Sequence, residues 1–221
     1  MDLLKVIRER RSIRKFRPDE VSNKIIKEII EDALWSPSWG NTQPWELYIV
    51  AGEILRKLKD LNRELFLNGE IQKTDLIMPE AFPERLKKRY VDLGKRVLTS
   101  LSIAREDKEG RKEYYADMYY LFDAPALILF CLDSSLNIEY AMLDLGIIMQ
   151  SICLLSYERG LGTCIISVSV RYAHILHELI AIPQDKKIAM GVALGYPDWD
   201  SPVNQFERSR GKLEEFVTWP S

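Results

Sequence analysis

The sequence predicts an α+β fold, with helices covering one sheet in a single domain. Three observations carry this reading: helix-patterned segments outnumber strand-patterned ones, the two kinds do not alternate as a regular β-α-β series, and no segment between them has the composition of a flexible linker. The length of 221 residues suits one large domain over residues 1–221.

The elements follow in order. Leu3, Leu4 and Ile7 recur at helical spacing behind Asp2, a suitable N-cap, so residues 2–10 read as a first helix. A second begins after Ser22 on a stripe of Ile25, Ile26, Ile29, Ile30, Ala33 and Leu34. The turn formers of SPSWGNTQP (36–44) end it, and WELYIVA (45–51) alternates like a strand. Residues 53–66 are helical on Leu55, Leu58, Leu61 and Leu65. Residues 67–122 form a charged helical excursion, with helices around 83–104 and 106–121. APALILFCLD (124–133) is a short continuous apolar run, the pattern of a central strand covered on both faces. Residues 137–159 make a long apolar helix closed by Gly160. GTCIISVSV (162–170) is the next strand, 172–181 a short helix and 187–197 the last core strand. Beyond Pro197 the chain is polar and irregular as far as LEEFVTW (213–219). That tail has no evident partner of its own, so it is expected to pack on another subunit.

Composition narrows the function classes. Hydrophobic residues at 47% supply a sizeable core, and charged residues at 29% an ordinary soluble surface. A net charge of -2 offers no general attraction to nucleic acid or to anionic membranes. The N-terminus turns charged too early for a signal-peptide core, and the run Ala124–Leu132 is too short to span a bilayer. Cys131, Cys153 and Cys164 are odd in number and set among apolar neighbours. They read as reduced core residues of a cytoplasmic protein, not as a disulfide framework or a zinc site.

Three segments carry candidate chemistry. In RERRSIRKF (8–16), Arg10, Arg11, Ser12 and Arg14 lie where a helix passes into extended chain; guanidinium forks with a hydroxyl suit a phosphate monoester. A solvated basic helix end has the same pattern. In SPSWGNTQPW (36–45), Pro37, Ser38, Trp39, Asn41 and Gln43 combine an irregular backbone with amide donors and acceptors. Those groups suit the edge of a planar heterocycle, and an ordinary loop shares them. In ERSRGKLEEF (207–216), Arg208 and Arg210 alternate in an extended stretch and point the same way, as two residues of a charged tail also do. His174 and His177 sit one helical turn apart in HILHE, which matches no zinc-protease pattern. A partly exposed helix face is the expectation, and no metal ligand is assigned. Gly160 and Gly162 form a GxG that precedes a strand, so it is no dinucleotide fingerprint.

In this order and at these separations, RRSIRKF, PSWGNTQPW, GLGTCIIS after a long apolar helix, and R-x-R before LEEFVTW resemble the nitroreductase family of flavoenzymes. The resemblance covers the chain except residues 67–122. It implies a helix-covered mixed, largely antiparallel sheet, with the C-terminal tail exchanged in a homodimer. It implies bound FMN, with NAD(P)H as hydride donor and a nitroaromatic, quinone or related acceptor served by a ping-pong mechanism. Arg10, Arg11, Ser12 and Arg14, joined by Arg208 and Arg210, would hold the FMN phosphate and ribityl chain. Pro37, Ser38, Trp39, Asn41 and Gln43 would contact the flavin of the neighbouring subunit, and Ile165, Ile166 and Ser167 would run along the ring. No catalytic acid, base or nucleophile is required, because FMN carries the reaction. The family often has glycine or an acidic residue where this chain has Ile-Ile-Ser-Val, which leaves open the amide that meets the flavin.

The excursion holds Tyr114, Tyr115, Tyr119 and Tyr120 and, one helical turn apart, Arg85 and Arg89. Its aromatic run before APALI resembles a branch of the family that reduces nitroaromatic acids, and Arg85, Arg89, Tyr119 and Tyr120 are the expected acceptor contacts. Packing of a helical excursion would use the same aromatics. Two other functions compete: a flavoenzyme of the same fold with another reaction, such as reductive dehalogenation, flavin fragmentation or ring dehydrogenation, and a non-enzymatic binder of nucleic acid or another phosphate ligand.

Overall fold

The computed structural model describes residues 2–220. Its core is a four-stranded sheet of β1 (Glu46–Ala51), β2 (Ala126–Asp133), β3 (Gly162–Ile166) and β4 (Lys186–Gly195), in the order β1-β2-β4-β3. All three pairings are antiparallel, and parallel pairing is confined to isolated bridges such as Ser12–Thr163. A register shift between Phe130 and Cys131 bends β2 against β4.

The continuous apolar run of β2 is covered on both faces, as the sequence predicts. Leu127, Leu129 and Cys131 point into one core, with Leu55 and Leu58 of α3 (Gly52–Leu67), Tyr119 of α5 (Lys108–Tyr119) and Leu176 of α7 (Ala173–Leu179). Ala126, Ile128, Phe130 and Leu132 point into the other. There they meet Ile26 and Ile29 of α2 (Asn23–Ala33) and Leu145, Ile148 and Ile152 of α6 (Ile138–Glu158). Each fully buried Leu, Ile or Phe contributes roughly 1.5–3 kcal/mol. The remaining helices are α1 (Leu3–Glu9) and α4 (Glu84–Ser100).

The helix starts obey local chemistry. Asp2 accepts from the N–H of Leu4 at 3.0 Å, Ser22 from Ile25 at 3.3 Å and Asn137 from Tyr140 at 3.1 Å. Gly160 takes φ 76° just past α6, the left-handed position that a helix stop asks of glycine.

Two expectations change. The strand over 162–170 stops at Ile166, and residues 167–170 form a 3-10 turn. The Ser169 hydroxyl donates to the Ile166 carbonyl at 2.6 Å and ends the ladder. It fits because Gly191 opposite has no side chain: a Cβ there would lie 2.2 Å from Ser169 Oγ. The partly exposed helix face expected for His174 and His177 is found, and on it His177 is half-buried. Its side chain is 8% exposed, with Nε2 2.8 Å from Asp75 and Nδ1 2.9 Å from the Ile182 carbonyl, while His174 is exposed. Finally, the tail through Phe216 finds partners within its own chain: Arg208 bonds to the backbone carbonyls of Arg8 and Arg10, and Glu215 and Phe216 meet Arg89, contacts that no local pattern announces.

Candidate functional site

The arginine-bearing segment after α1 is pinned at the start of β3 and just past the end of β4. The Ile13 N–H donates to the Thr163 carbonyl at 2.9 Å and the Arg17 N–H to the Tyr196 carbonyl at 2.9 Å, while Ile13 and Phe16 are buried. Gly162 allows this approach, since a Cβ there would lie 2.4 Å from Ile13. With Ile13 and Phe16 turned into the core, Arg10, Arg11, Ser12 and Arg14 are half-buried and line one cavity of about 590 Å3. Arg208 and Arg210 line its far side, as their alternation predicts, and Arg89 and Arg96 of α4 complete the wall.

The cavity is held together from distant parts of the chain. Arg208 donates to the carbonyls of Arg10 and, at 2.7 Å, Arg8, and Arg11 donates to the carbonyl of Phe206. The guanidinium groups of Arg11 and Arg14 lie 5.4 and 5.7 Å from the Phe206 ring centre. Asn204, which the sequence reading passed over, accepts from the Arg14 N–H at 2.8 Å. It donates to the carbonyls of Lys15 at 2.7 Å and Asp198 at 2.8 Å.

No carboxylate among the described residues forms an ion pair with Arg10, Arg11, Arg14, Arg208 or Arg210. Burial, then the charges of Arg208 and Arg14, lowers the pKa of Arg11; burial, then Arg210 and Arg10, lowers that of Arg208. The Arg10 Nε is buried without a hydrogen-bond partner. Crowded cations and an orphaned donor fit a multiply charged anion in the cavity.

The other predicted residues lie outside that cavity. In the 36–43 loop, Asn41 and Gln43 take positive φ of 57° and 49°, Gln43 N–H donates to Ser38 Oγ at 2.9 Å, and Pro37 and Trp39 are exposed. The Trp39 N–H donates to Asp144 Oδ1 at 3.1 Å, a buried carboxylate of α6 that composition and spacing do not reveal. On the edge strand β3, Ile165 is 41% exposed and Ile166 buried, and Ser167, just past its end, is half-buried. The excursion divides. Arg89 faces the cavity, with Arg85 one turn earlier on α4, but Tyr119 belongs to the core: it stacks on Phe66 at 4.4 Å and its hydroxyl accepts from Gln72 at 2.7 Å. Tyr120 lies half-buried with the Lys59 ammonium 4.8 Å from its ring, and neither tyrosine lines the arginine cavity. Among the described residues no group of three or more His, Cys, Asp or Glu is arranged for a metal ion.

With this geometry in hand, comparison with known proteins decides the family: the model of the nitroreductase family matches residues 7–196. The chain belongs to the nitroreductase family. Among relatives of this nitroreductase-family chain, a 4-nitrobenzoate reductase of Pseudomonas putida is 29% identical over 96% of this chain and 92% of its own length. A chloronitrobenzene nitroreductase of Comamonas testosteroni is 30% identical over 97% of this chain and 95% of its own. The FMN-dependent nitroreductase NfnB of Mycobacterium smegmatis, solved in complex with NADPH, superposes with a TM-score of 0.92 at 26% identity. That match covers 99% of this chain and 97% of the other.

Proposed function

We propose that this chain is an oxidoreductase that binds FMN in one domain, takes a hydride from NAD(P)H and reduces a nitroaromatic, quinone or related acceptor in a ping-pong cycle. The observation that carries the reading is the cavity of about 590 Å3 ringed by five arginines without carboxylate partners. Its size falls within the ordinary range of cofactor sites, roughly 300–1,000 Å3. Arg10, Arg11, Ser12, Arg14, Arg208 and Arg210 are the residues that would hold the phosphate and ribityl chain. The 36–43 loop and the edge of β3 at Ile165, Ile166 and Ser167 would contribute the contacts to the ring. When bound, FMN supplies hydride acceptance and onward two-electron transfer. The side chains bind, orient and exclude water, and no acid, base or nucleophile is assigned.

A homodimer fits the surface. Leu3, Leu4 and Ile7 of α1, and Tyr140, Leu143 and Ile147 along one face of α6, leave contiguous apolar surface exposed, the mark of an interface. The Pro37–Gln43 loop packs on that same α6, so a second subunit seated there meets it. The tail beyond Phe216, with Trp219 81% exposed, is the segment to be exchanged. Three unpaired, buried cysteines support a cytoplasmic setting.

The test begins with colour. The purified protein is expected to be yellow, with about one FMN per subunit, and to bleach anaerobically with NADH or NADPH. Nitro and quinone acceptors should then restore the colour, with parallel double-reciprocal lines. Protein that remains colourless after incubation with FMN sinks the proposal; yellow protein that neither nicotinamide bleaches moves it to another flavin reaction.

A further inference from the structure

The arginine cavity has a second station where α4 meets the tail. Arg89 Nη2 donates to Glu215 Oε2 at 2.5 Å, and its guanidinium lies 4.9 Å from the ring centre of Phe216. One arginine is therefore met by a carboxylate and a benzene ring from consecutive residues, the two groups that an aromatic acid carries in one molecule. Gly211 makes room for this arrangement: a Cβ there would lie 2.6 Å from the Phe216 ring and 3.0 Å from Arg89 Nη2.

We propose that Arg89, flanked by Arg85, receives the carboxylate of an aromatic acid acceptor, and that Glu215 and Phe216 occupy its place in the resting protein. The proposal rests on the reductase reading above, from which it takes the idea of an acceptor. Two observations make the internal occupant displaceable. The contact is on the surface, with the Glu215 side chain 45% and Phe216 61% exposed, so water competes for it. A separate link also holds the tail: Arg96 Nη1 donates to the Glu207 carbonyl at 3.4 Å and lies 4.0 Å from its carboxylate. Glu215 can leave Arg89 without freeing Arg208 and Arg210 from the opposite wall. The same two arginines that address the incoming acid lower the pKa of Glu215, after its bond from the Lys212 N–H. The station is thus set for a carboxylate anion.

The experiment is calorimetric titration of the flavin-bound protein with benzoate, and with benzamide as its uncharged counterpart. Glu215→Gln removes the internal carboxylate and Gly211→Ala pushes the Phe216 ring aside. Each is expected to tighten benzoate binding about tenfold, the worth of one charge-assisted contact, with no gain for benzamide. Arg89→Gln is expected to abolish benzoate binding. In steady state, the ratio of kcat/KM for 4-nitrobenzoate over nitrobenzene should rise in Glu215→Gln and fall in Arg89→Gln. Benzoate affinity indifferent to Glu215→Gln, or benzamide gaining equally, overturns the proposal. If Arg89→Gln does not fold, the other two variants decide. Colourless protein fails the reductase reading, whereas unchanged benzoate binding fails this one.

Discussion

Asn204 works through its position. Fully buried, it ties the backbone of Arg14 and Lys15 to that of Asp198, and so fixes one arginine segment against the chain that leads to the other. Asn204→Ala should cost about 1–3 kcal/mol, because three polar groups lose their partner, and should weaken FMN binding although the side chain does not line the cavity. Urea titration and flavin fluorescence check the two effects. Arg14→Ala and Arg210→Ala act directly. Each should weaken FMN about 10- to 100-fold and leave riboflavin nearly untouched; equal losses for both ligands would refute the phosphate assignment. The arginines were legible in the sequence because charge clusters stand out without a fold. Asn204 and Asp144 were not, because a lone polar residue gains meaning only from the distant backbone it binds. Burial keeps the cysteines protonated, with Cys131 pushed up to about 12 and Cys164 to about 11. Native protein should therefore leave Ellman's reagent unreacted and yield its three thiols only on unfolding.

Helix α6 does two jobs at once. Ala141, Leu145, Ile148 and Ile152 pack on the sheet, while Tyr140, Leu143 and Ile147 face outwards. By length and composition this helix would also pass for a membrane span, a class the sequence reading considered only for the shorter run in β2. Leu143→Glu places a charge on a side that the single chain leaves exposed. The expected result is a protein that still folds cooperatively, sediments as a monomer, has lost flavin and melts at a lower temperature because partner and flavin no longer stabilise it; a flavin-replete monomer would break the link between interface and site. Period and caps made the helices readable, and the unbroken apolar run of β2 announced its central place. The end of β3 was hidden, since it depends on Ser169 turning back to Ile166 and on the missing side chain of Gly191. Tyr119 was misplaced for a related reason: its neighbour Phe66 comes from α3, and spacing within α5 cannot show that.

For the molecule as a whole, buried neutral acids set the alkaline limit. Cys131, Cys164 and Tyr114 are raised by burial to about 12, 11 and 12, from ordinary values of 9.0 and 10.0. Between these limits the unfolded chain has released protons that the folded chain still holds, so stability falls as pH rises. The contribution is complete below pH 9 and is lost towards pH 12. Urea midpoints at neutral pH and at about pH 10.5 should differ in that direction, and equal midpoints would count against it. The arginine cavity has a consequence for synthesis. Its two halves lie far apart in sequence: Arg208 reaches the carbonyl of Arg10 across 198 residues. A ribosome delivers the first half 198 residues ahead of the second. Until Arg208 and Arg210 emerge, the nascent chain offers an incoming phosphate only the first set of arginines. Ligand capture therefore joins two stretches that synthesis delivers far apart in time, and the anion that neutralises both halves fastens Arg10–Arg14 to Arg208 and Arg210.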